Sequence, residues 1–379
     1  MSWMIVSVPM LMQLRGAAVL VAMGLGVGAA ALMATAADAR TKHAWPAAYC
    51  FSGRWDLRTE KRAITVNSGS YVRARFSGTG IIASFDVAGN ERWQQAPTQP
   101  GSFTTVAWRV DDGPWKEAEV AATLSLANGL THGRHTIMLM VRGLDEHQSR
   151  WTPPLVAHVT FTGFEPSREG RLEAPPREWR APSLKMEFLG DSITEGVVVN
   201  EGRAGVVEGI PFNWPWLADA RRSYVGQTAL GLGADWRQVG FGATGLLLAG
   251  SGGVPGALES FNFVYAGCPR DNWQPDVVVI NQGTNEPSIP KLEYQSLYHR
   301  YLSLIRTAYP RAKLVALRPF NGSQGAAIRN VVEERRAKGD RKTFFIDTTG
   351  WYDGPLHPNV DGSAALAAKL IDALKAQVF

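Results

Sequence analysis

The spacing of apolar positions divides the chain into stretches with different periods. Ala17 to Met33 is an almost unbroken apolar run. From Ser52 to about Gly163, short runs rich in β-branched and aromatic residues recur, several alternating in period two. They are Tyr71 to Phe76, Gly80 to Val87, Thr104 to Val110, His135 to Val141 and Leu155 to Phe161. Such runs read as strands, and Asp112 with Gly113 supplies a tight-turn signal after the third. Strands without helices between them imply a β-sandwich of the jelly-roll kind. After Ser183 the pattern becomes strand then helix. Leu184 to Leu189, Gln238 to Phe241, Val277 to Asn281, Leu314 to Leu317 and Phe344 to Asp347 are short apolar runs of buried, parallel-strand character. Helical spacing covers Trp216 to Leu232, Lys291 to Ala308, Ala326 to Lys338 and Gly362 to Ala376. This half predicts a three-layer α/β/α domain, with ligand sites beyond the carboxyl ends of its strands.

The predicted organisation is a signal peptide over 1–39, a sandwich over 40–164, a linker over 165–183 and an α/β domain over 184–379. Arg15 is the only charge ahead of the apolar run, and Ala37, Asp38 and Ala39 fit the small-x-small cleavage pattern, with Ala34 to Ala36 as a second candidate. A membrane anchor is the competing reading, which Gly24, Gly26 and Gly28 weaken. No later run reaches membrane-spanning length. The expected destination is the periplasm or the exterior, without a stable membrane span after cleavage. Pro166, Pro175, Pro176 and Pro182, set among charges, suit an extended linker.

A formal charge of +5 is spread along the chain rather than clustered, so no nucleic-acid footprint is present. Cys50 and Cys268, the two cysteines, could form a disulfide joining the mature N-terminus to the second domain in an oxidising compartment. Neither Cys-x-x-Cys nor His-Glu-x-x-His occurs, and His132 with His135 reads as a polar turn entering a strand, so no metal or cofactor is expected. Gly240, Gly242 and Gly245 spell a dinucleotide fingerprint. The glycine-rich stretch to Gly256 suits no following helix, and no acidic residue ends a strand at the required distance.

Chemistry gathers at the strand ends. The run Met186 to Leu189 leads into Gly190, Asp191, Ser192, Ile193, Thr194, Glu195 and Gly196. A serine on a tight strand-to-helix turn exposes its hydroxyl beside backbone N–H groups, as an acyl-transfer nucleophile requires. Taken alone, the turn reads more readily as a helix cap by Asp191 or Ser192. The next strands end in Gly240 to Gly245 and in Gly283, Thr284, Asn285 and Glu286, and His357 stands in a Pro-Asn-Val-Asp-Gly setting near the C-terminus. This ordered set of four blocks resembles the SGNH (GDSL-like) hydrolase superfamily.

The resemblance implies Ser192 as nucleophile and His357 as its base. It implies an oxyanion hole from the Ser192 N–H, the second-block loop and the Asn285 side chain. In the second block Ala243 stands where the family usually has glycine, so the backbone donor falls to Gly242 or Ala243. In the last block the family's aspartate lies three residues before the histidine, whereas Asp353 lies four before His357 and Gly354 occupies the usual site. Either Asp353 still orients the imidazole, or a backbone carbonyl does and the enzyme works as a dyad.

Sandwich, linker and hydrolase in that order look like carbohydrate esterase family 2. Asn67 to Ser70, Phe76 to Gly80 and Thr162 to Glu165 resemble its N-terminal domain. That likeness implies an acetylated polysaccharide or oligosaccharide as substrate. Trp214, Trp216, Trp273 and Trp351 are candidate sugar-stacking rings, although most of the 13 tryptophans belong to the core on general grounds. The insertion from Val197 to Pro211 is a candidate substrate-shaping loop. The alternatives are an acetyltransferase onto an exopolysaccharide such as cellulose, a broad small-ester or lipid esterase, and a non-catalytic glycan-binding module.

Overall fold

The computed structural model describes residues 45–92, 102–201 and 214–379, which fall within one compact unit. The expected signal peptide and most of the Val197 to Pro211 insertion lie outside the described residues. The first part contains β1 (Tyr49–Ser52), β2 (Asp56–Thr59), β3 (Arg62–Thr65), β4 (Tyr71–Gly78), β5 (Ile81–Phe85) and β6 (Thr105–Val110). It continues with β7 (Lys116–Glu119), β8 (Thr123–Ala127), β9 (Gly133–Gly143), β10 (Val159–Pro166) and β11 (Arg171–Glu173). Two antiparallel sheets result, ordered β1-β4-β9-β6-β7, with β11 also on β4, and β2-β3-β10-β5-β8. Alternation creates their shared core: Val72, Ala74 and Phe76 of β4 meet Ala83 and Phe85 of β5 and Phe161 of β10 in one cluster. The Asp112–Gly113 turn joins β6 to β7 as expected, with the Gly113 N–H bonded to the Val110 carbonyl.

The segment 165–183 differs from a free linker. β10 runs on to Pro166, β11 extends the β4 edge, and α1 (Arg177–Arg180) follows. Pro166 is tolerated as the last residue of its strand, where no further ladder bond is needed.

The second part contains β12 (Lys185–Gly190), α2 (Ser192–Glu195), α3 (Trp214–Leu217), α4 (Tyr224–Gly231), β13 (Asp235–Gly240), α5 (Ala257–Ser260), β14 (Phe263–Tyr265) and β15 (Cys268–Pro269). β16 (Val277–Asn281), α6 (Lys291–Ala308), β17 (Lys313–Leu317), α7 (Gly325–Ala337), β18 (Thr343–Ile346) and α8 (Val360–Gln377) complete it. Five strands form a parallel sheet, β13-β12-β16-β17-β18, with Leu189 opposite Val239 and Ile280. Alternate side chains enter two cores. Leu189, Ile280 and Ala316 join α6 and α7 residues such as Tyr298 and Val331. Met186, Phe188 and Val279 join Tyr224 of α4 and Leu370 of α8.

Buried ion pairs cross between the antiparallel sheets and this part. Arg54 meets Glu187 of β12 at 3.2 Å, and Arg142 meets Asp219 at 3.3 Å. Arg150 pairs with Glu195 of α2. Among the described residues, no helix is long and apolar enough to cross a membrane.

Candidate active site

β12, β13 and β16 are adjacent and parallel, so the loops that follow them open on one edge. After β12, Asp191 caps α2 by accepting the Ile193 N–H at 3.0 Å. Burial pushes its carboxyl up to about 6. Gly190 must lack a Cβ, which would collide with the Thr194 side chain and the Asn281 carbonyl. Chain reversal is completed by Gly196, with φ of 81°. Ser192 is thereby the first residue of a one-turn helix. Its carbonyl accepts from Gly196 and Val197, while its own N–H has no acceptor among the described residues, as first-turn amides commonly lack one. Its Oγ is hydrogen bonded to His357 Nε2 at 2.8 Å.

After β13, the backbone decides between the two candidate donors. The Gly242 N–H donates to Glu195 Oε2 at 2.9 Å, which removes it from the expected oxyanion set. Ala243 adopts φ of 59°, the left-handed conformation that glycine takes most easily, is exposed, and its N–H meets no acceptor among the described residues. After β16, Asn285 donates one amide N–H to the Thr244 carbonyl at 3.0 Å, leaving its second free. Gln282 donates to the same carbonyl at 2.8 Å.

Two carboxylates hold this loop from either side. Buried Glu286 accepts the N–H groups of Leu246, Leu247 and Leu248 at 2.7, 2.8 and 2.9 Å. Glu195, fixed by Arg150, holds Gly242. Glu146 lies against Gly242, where a Cβ would strike its carboxyl. Burial and the Glu195 charge push Glu146 up to about 7.

His357 precedes α8, whose start is fixed by Asn359 accepting the Gly362 N–H at 2.9 Å. Burial lowers the imidazole below its ordinary pKa of 6.5, with the Glu201 charge acting in the opposite direction. Asp353 does not orient it, contrary to the triad expectation. That carboxylate is exposed and makes no hydrogen bond or ion pair among the described residues. The physical reason lies one residue on. At Gly354, the position where the family carries its aspartate, a Cβ would meet the Tyr352 hydroxyl at 2.5 Å, so the tyrosine ring covers that place.

No family model and no curated protein matches the sequence, but solved structures match it along most of its length. A family two carbohydrate esterase from Clostridium thermocellum, in complex with cellohexaose, aligns with a TM-score of 0.69 at 25% identity, covering 87% of this chain and 99% of that one. The chain has the SGNH-hydrolase fold with the architecture of carbohydrate esterase family 2. It is a serine ester hydrolase. An acetyl xylan esterase from the rumen bacterium Butyrivibrio proteoclasticus shares the fold, with a TM-score of 0.67 at 19% identity over 88% of this chain and 97% of that one. A salicylyl-acyltransferase from a tetracycline biosynthetic pathway does so with a TM-score of 0.57 at 14% identity, over 87% of this chain and 96% of that one.

Within this SGNH fold the candidate tryptophans scatter. Trp273 lies at the amino ends of the strands, against Arg237. Trp216 packs on Arg142, with its centroid 5.0 Å from the guanidinium carbon, and donates to Glu119. Trp351 packs beside the α4–α8 core, and its carbonyl accepts from Lys369 at 2.8 Å. Trp214 begins α3, and its side chain lies outside what is described.

The possible disulfide is not formed: Cys50 and Cys268 are free thiols. Their surroundings differ, Arg73, Arg180 and Asp235 around Cys50 against Asp56, Arg58 and Tyr265 around Cys268. Among the described residues, no group of three or more His, Cys, Asp or Glu could hold a metal ion. The positioning roles of Arg150, Glu195 and Glu286 escaped the sequence reading. Glu195 and Glu286 stood inside the quoted blocks, whereas nothing local marked Arg150.

Proposed function

We propose that the chain is an exported glycan acetylesterase that works through a Ser192–His357 dyad. The 2.8 Å bond between Ser192 Oγ and His357 Nε2 carries the reading. It joins the two side chains at the edge where, among the described residues, the Ser192 and Ala243 N–H groups and the second amide hydrogen of Asn285 have no protein acceptor. Neutral His357 takes the Ser192 proton as Oγ attacks the ester carbonyl. The oxyanion rests on those three donors, and the protonated imidazole then delivers its proton to the departing sugar oxygen. Water, deprotonated by the same nitrogen, releases acetate from the acyl-enzyme. His357 makes no hydrogen bond to a carboxylate among the described residues, which favours the dyad over the triad.

A carbohydrate ester as substrate is supported by the Clostridium thermocellum relative, solved with cellohexaose, and by the acetyl xylan esterase of the same fold. We read the antiparallel part as a jelly-roll-like sandwich, the parallel part as a three-layer α/β/α domain, and the N-terminal apolar run as a signal for the periplasm or the exterior. Acyl transfer onto a glycan hydroxyl is the second reading, since an acyltransferase uses the same fold and a sugar hydroxyl can replace water in the last step.

The deciding experiment incubates the mature protein with acetylated oligosaccharides and with p-nitrophenyl acetate, with and without acceptor glycan, and follows free acetate. Acetate release independent of acceptor is expected. Transfer without release would establish the second reading, and preference for long acyl chains would refute the first.

A further inference from the structure

The catalytic groups occupy the carboxyl edge of the parallel sheet, and a cavity of about 490 Å³ lies at its amino edge. Such a volume suits a small-molecule site. Lys185 and Asp235, the first residues of β12 and β13, line it. Ser192 lies beyond the far end of β12, roughly 20 Å away at about 3.3 Å per strand residue.

The lining is built rather than incidental. Two half-buried indoles, Trp179 and Trp273, form part of it. Each is backed by an arginine that an aspartate fixes. Arg237 bonds Asp271 at 2.5 and 2.8 Å and lies 4.2 Å from the Trp273 centroid. Arg73 meets Asp235 at 3.2 Å and lies 5.1 Å from the Trp179 centroid. Rings held in place before a ligand arrives lose little freedom on binding it.

The polar lining is unbalanced toward donors. Asp235 and Asp271 are already engaged by arginines. The Lys185 ammonium makes no ion pair or hydrogen bond among the described residues and lies 5.8 Å from the Trp273 centroid. The complementary ligand has apolar faces for the indoles and many oxygen acceptors at its edges, which is the surface of a sugar ring.

We propose that this cavity is a second saccharide site, holding one or two pyranose rings of a glycan at the sheet edge opposite Ser192. The choice of a saccharide rests in part on the glycan-esterase reading. The test applies the full chain carrying Ser192→Ala, which holds glycans without turnover, to an array of neutral and uronate-bearing oligosaccharides. The best binder is then titrated by tryptophan fluorescence. Adding Trp179→Ala or Lys185→Gln is expected to weaken binding at least tenfold. In the otherwise wild-type chain the same two substitutions should leave p-nitrophenyl acetate hydrolysis within twofold. Trp179 sits in a four-residue surface helix, and Lys185→Gln provides a second variant of similar size. Absence of array binding, or binding that neither substitution weakens, overturns the proposal. Failure of the wild-type chain to hydrolyse any ester would refute the esterase reading instead, and the array would still decide this one.

Discussion

Replacing Glu286 by glutamine tests whether the oxyanion loop depends on a single buried carboxylate. Oε1 accepts from Leu247 and Leu248, and Oε2 from Leu246. Glutamine with its oxygen in the Oε1 place keeps two of these bonds and sets an N–H₂ group against the Leu246 N–H. One charge-assisted bond, about 1.5–3 kcal/mol, is lost, and a buried donor is stranded at a further cost of about 1–3 kcal/mol. Part of that strain is relieved by movement of the loop, so the expected stability loss is about 2–4 kcal/mol. The same loop carries Ala243, and Glu286 adjoins Asn285, so two of the three proposed oxyanion donors shift with it. Loss of one such donor typically costs 10²–10³ in kcat, and misplacement of two is expected to cost at least tenfold. The assay is steady-state hydrolysis of p-nitrophenyl acetate beside thermal unfolding of the same preparation. A lower kcat with little change in KM is expected, because these donors act in the transition state. A lower Tm with unchanged kcat would refute the coupling between clamp and oxyanion hole.

Asn285→Ala should lower kcat by 10²–10³ with a stability loss of only about 1 kcal/mol, since one bond to the Thr244 carbonyl disappears; equal kcat in the two proteins would exclude Asn285 from the oxyanion hole. His357→Ala should abolish hydrolysis while Asp353→Asn stays within twofold of the parent, and a hundredfold loss in the latter would restore the triad. The acidic limb of kcat/KM should fall below pH 6.5, because burial lowers the His357 pKa and keeps the neutral base form populated in more acidic solution; a limb at or above that pH contradicts the assignment. Glu146 has a raised pKa, so its protonated form stabilises the fold below about pH 4.5 and this contribution is lost as pH rises through about 7. Glu146→Gln should therefore raise Tm relative to the parent at pH 8 and much less at pH 5, and a pH-independent difference would refute this account.

Legibility in the sequence followed locality. The amphipathic spacing of α6 gave both of its ends, Lys291 and Ala308, because one face meets a continuous apolar core. β13 was harder: only its end was read, since Asp235 and Arg237 are polar at buried positions. They are satisfied by Tyr71, Arg73 and Asp271, which no local pattern connects to them. The proline-rich stretch read as a linker because β11 is three residues long and takes its stability from β4. Ser192, Asn285 and His357 were visible as blocks with regular spacing. The choice of Ala243 over Gly242 needed the Glu195 bond, and the loss of Asp353 needed the Tyr352 ring, both questions of where a side chain points.

The pairing of Arg150 with Glu195 bears on how such a chain could be cut or recombined. The guanidinium comes from the connection between β9 and β10, and the carboxylate belongs to the turn that carries Ser192. An excised 184–379 fragment would keep Glu195, and Glu187 from the Arg54 pair, without either counter-ion. Covering these carboxylates with a foreign partner that lacks the arginines would leave the charges buried and unpaired, at about 3–5 kcal/mol for a pair broken in this way, comparable with the whole stability of many domains. The β-rich half is therefore not an appendage that grafting or gene fusion could exchange at will: the Ser192 turn is built by both halves, and a transplanted hydrolase half would need a replacement arginine at the seam.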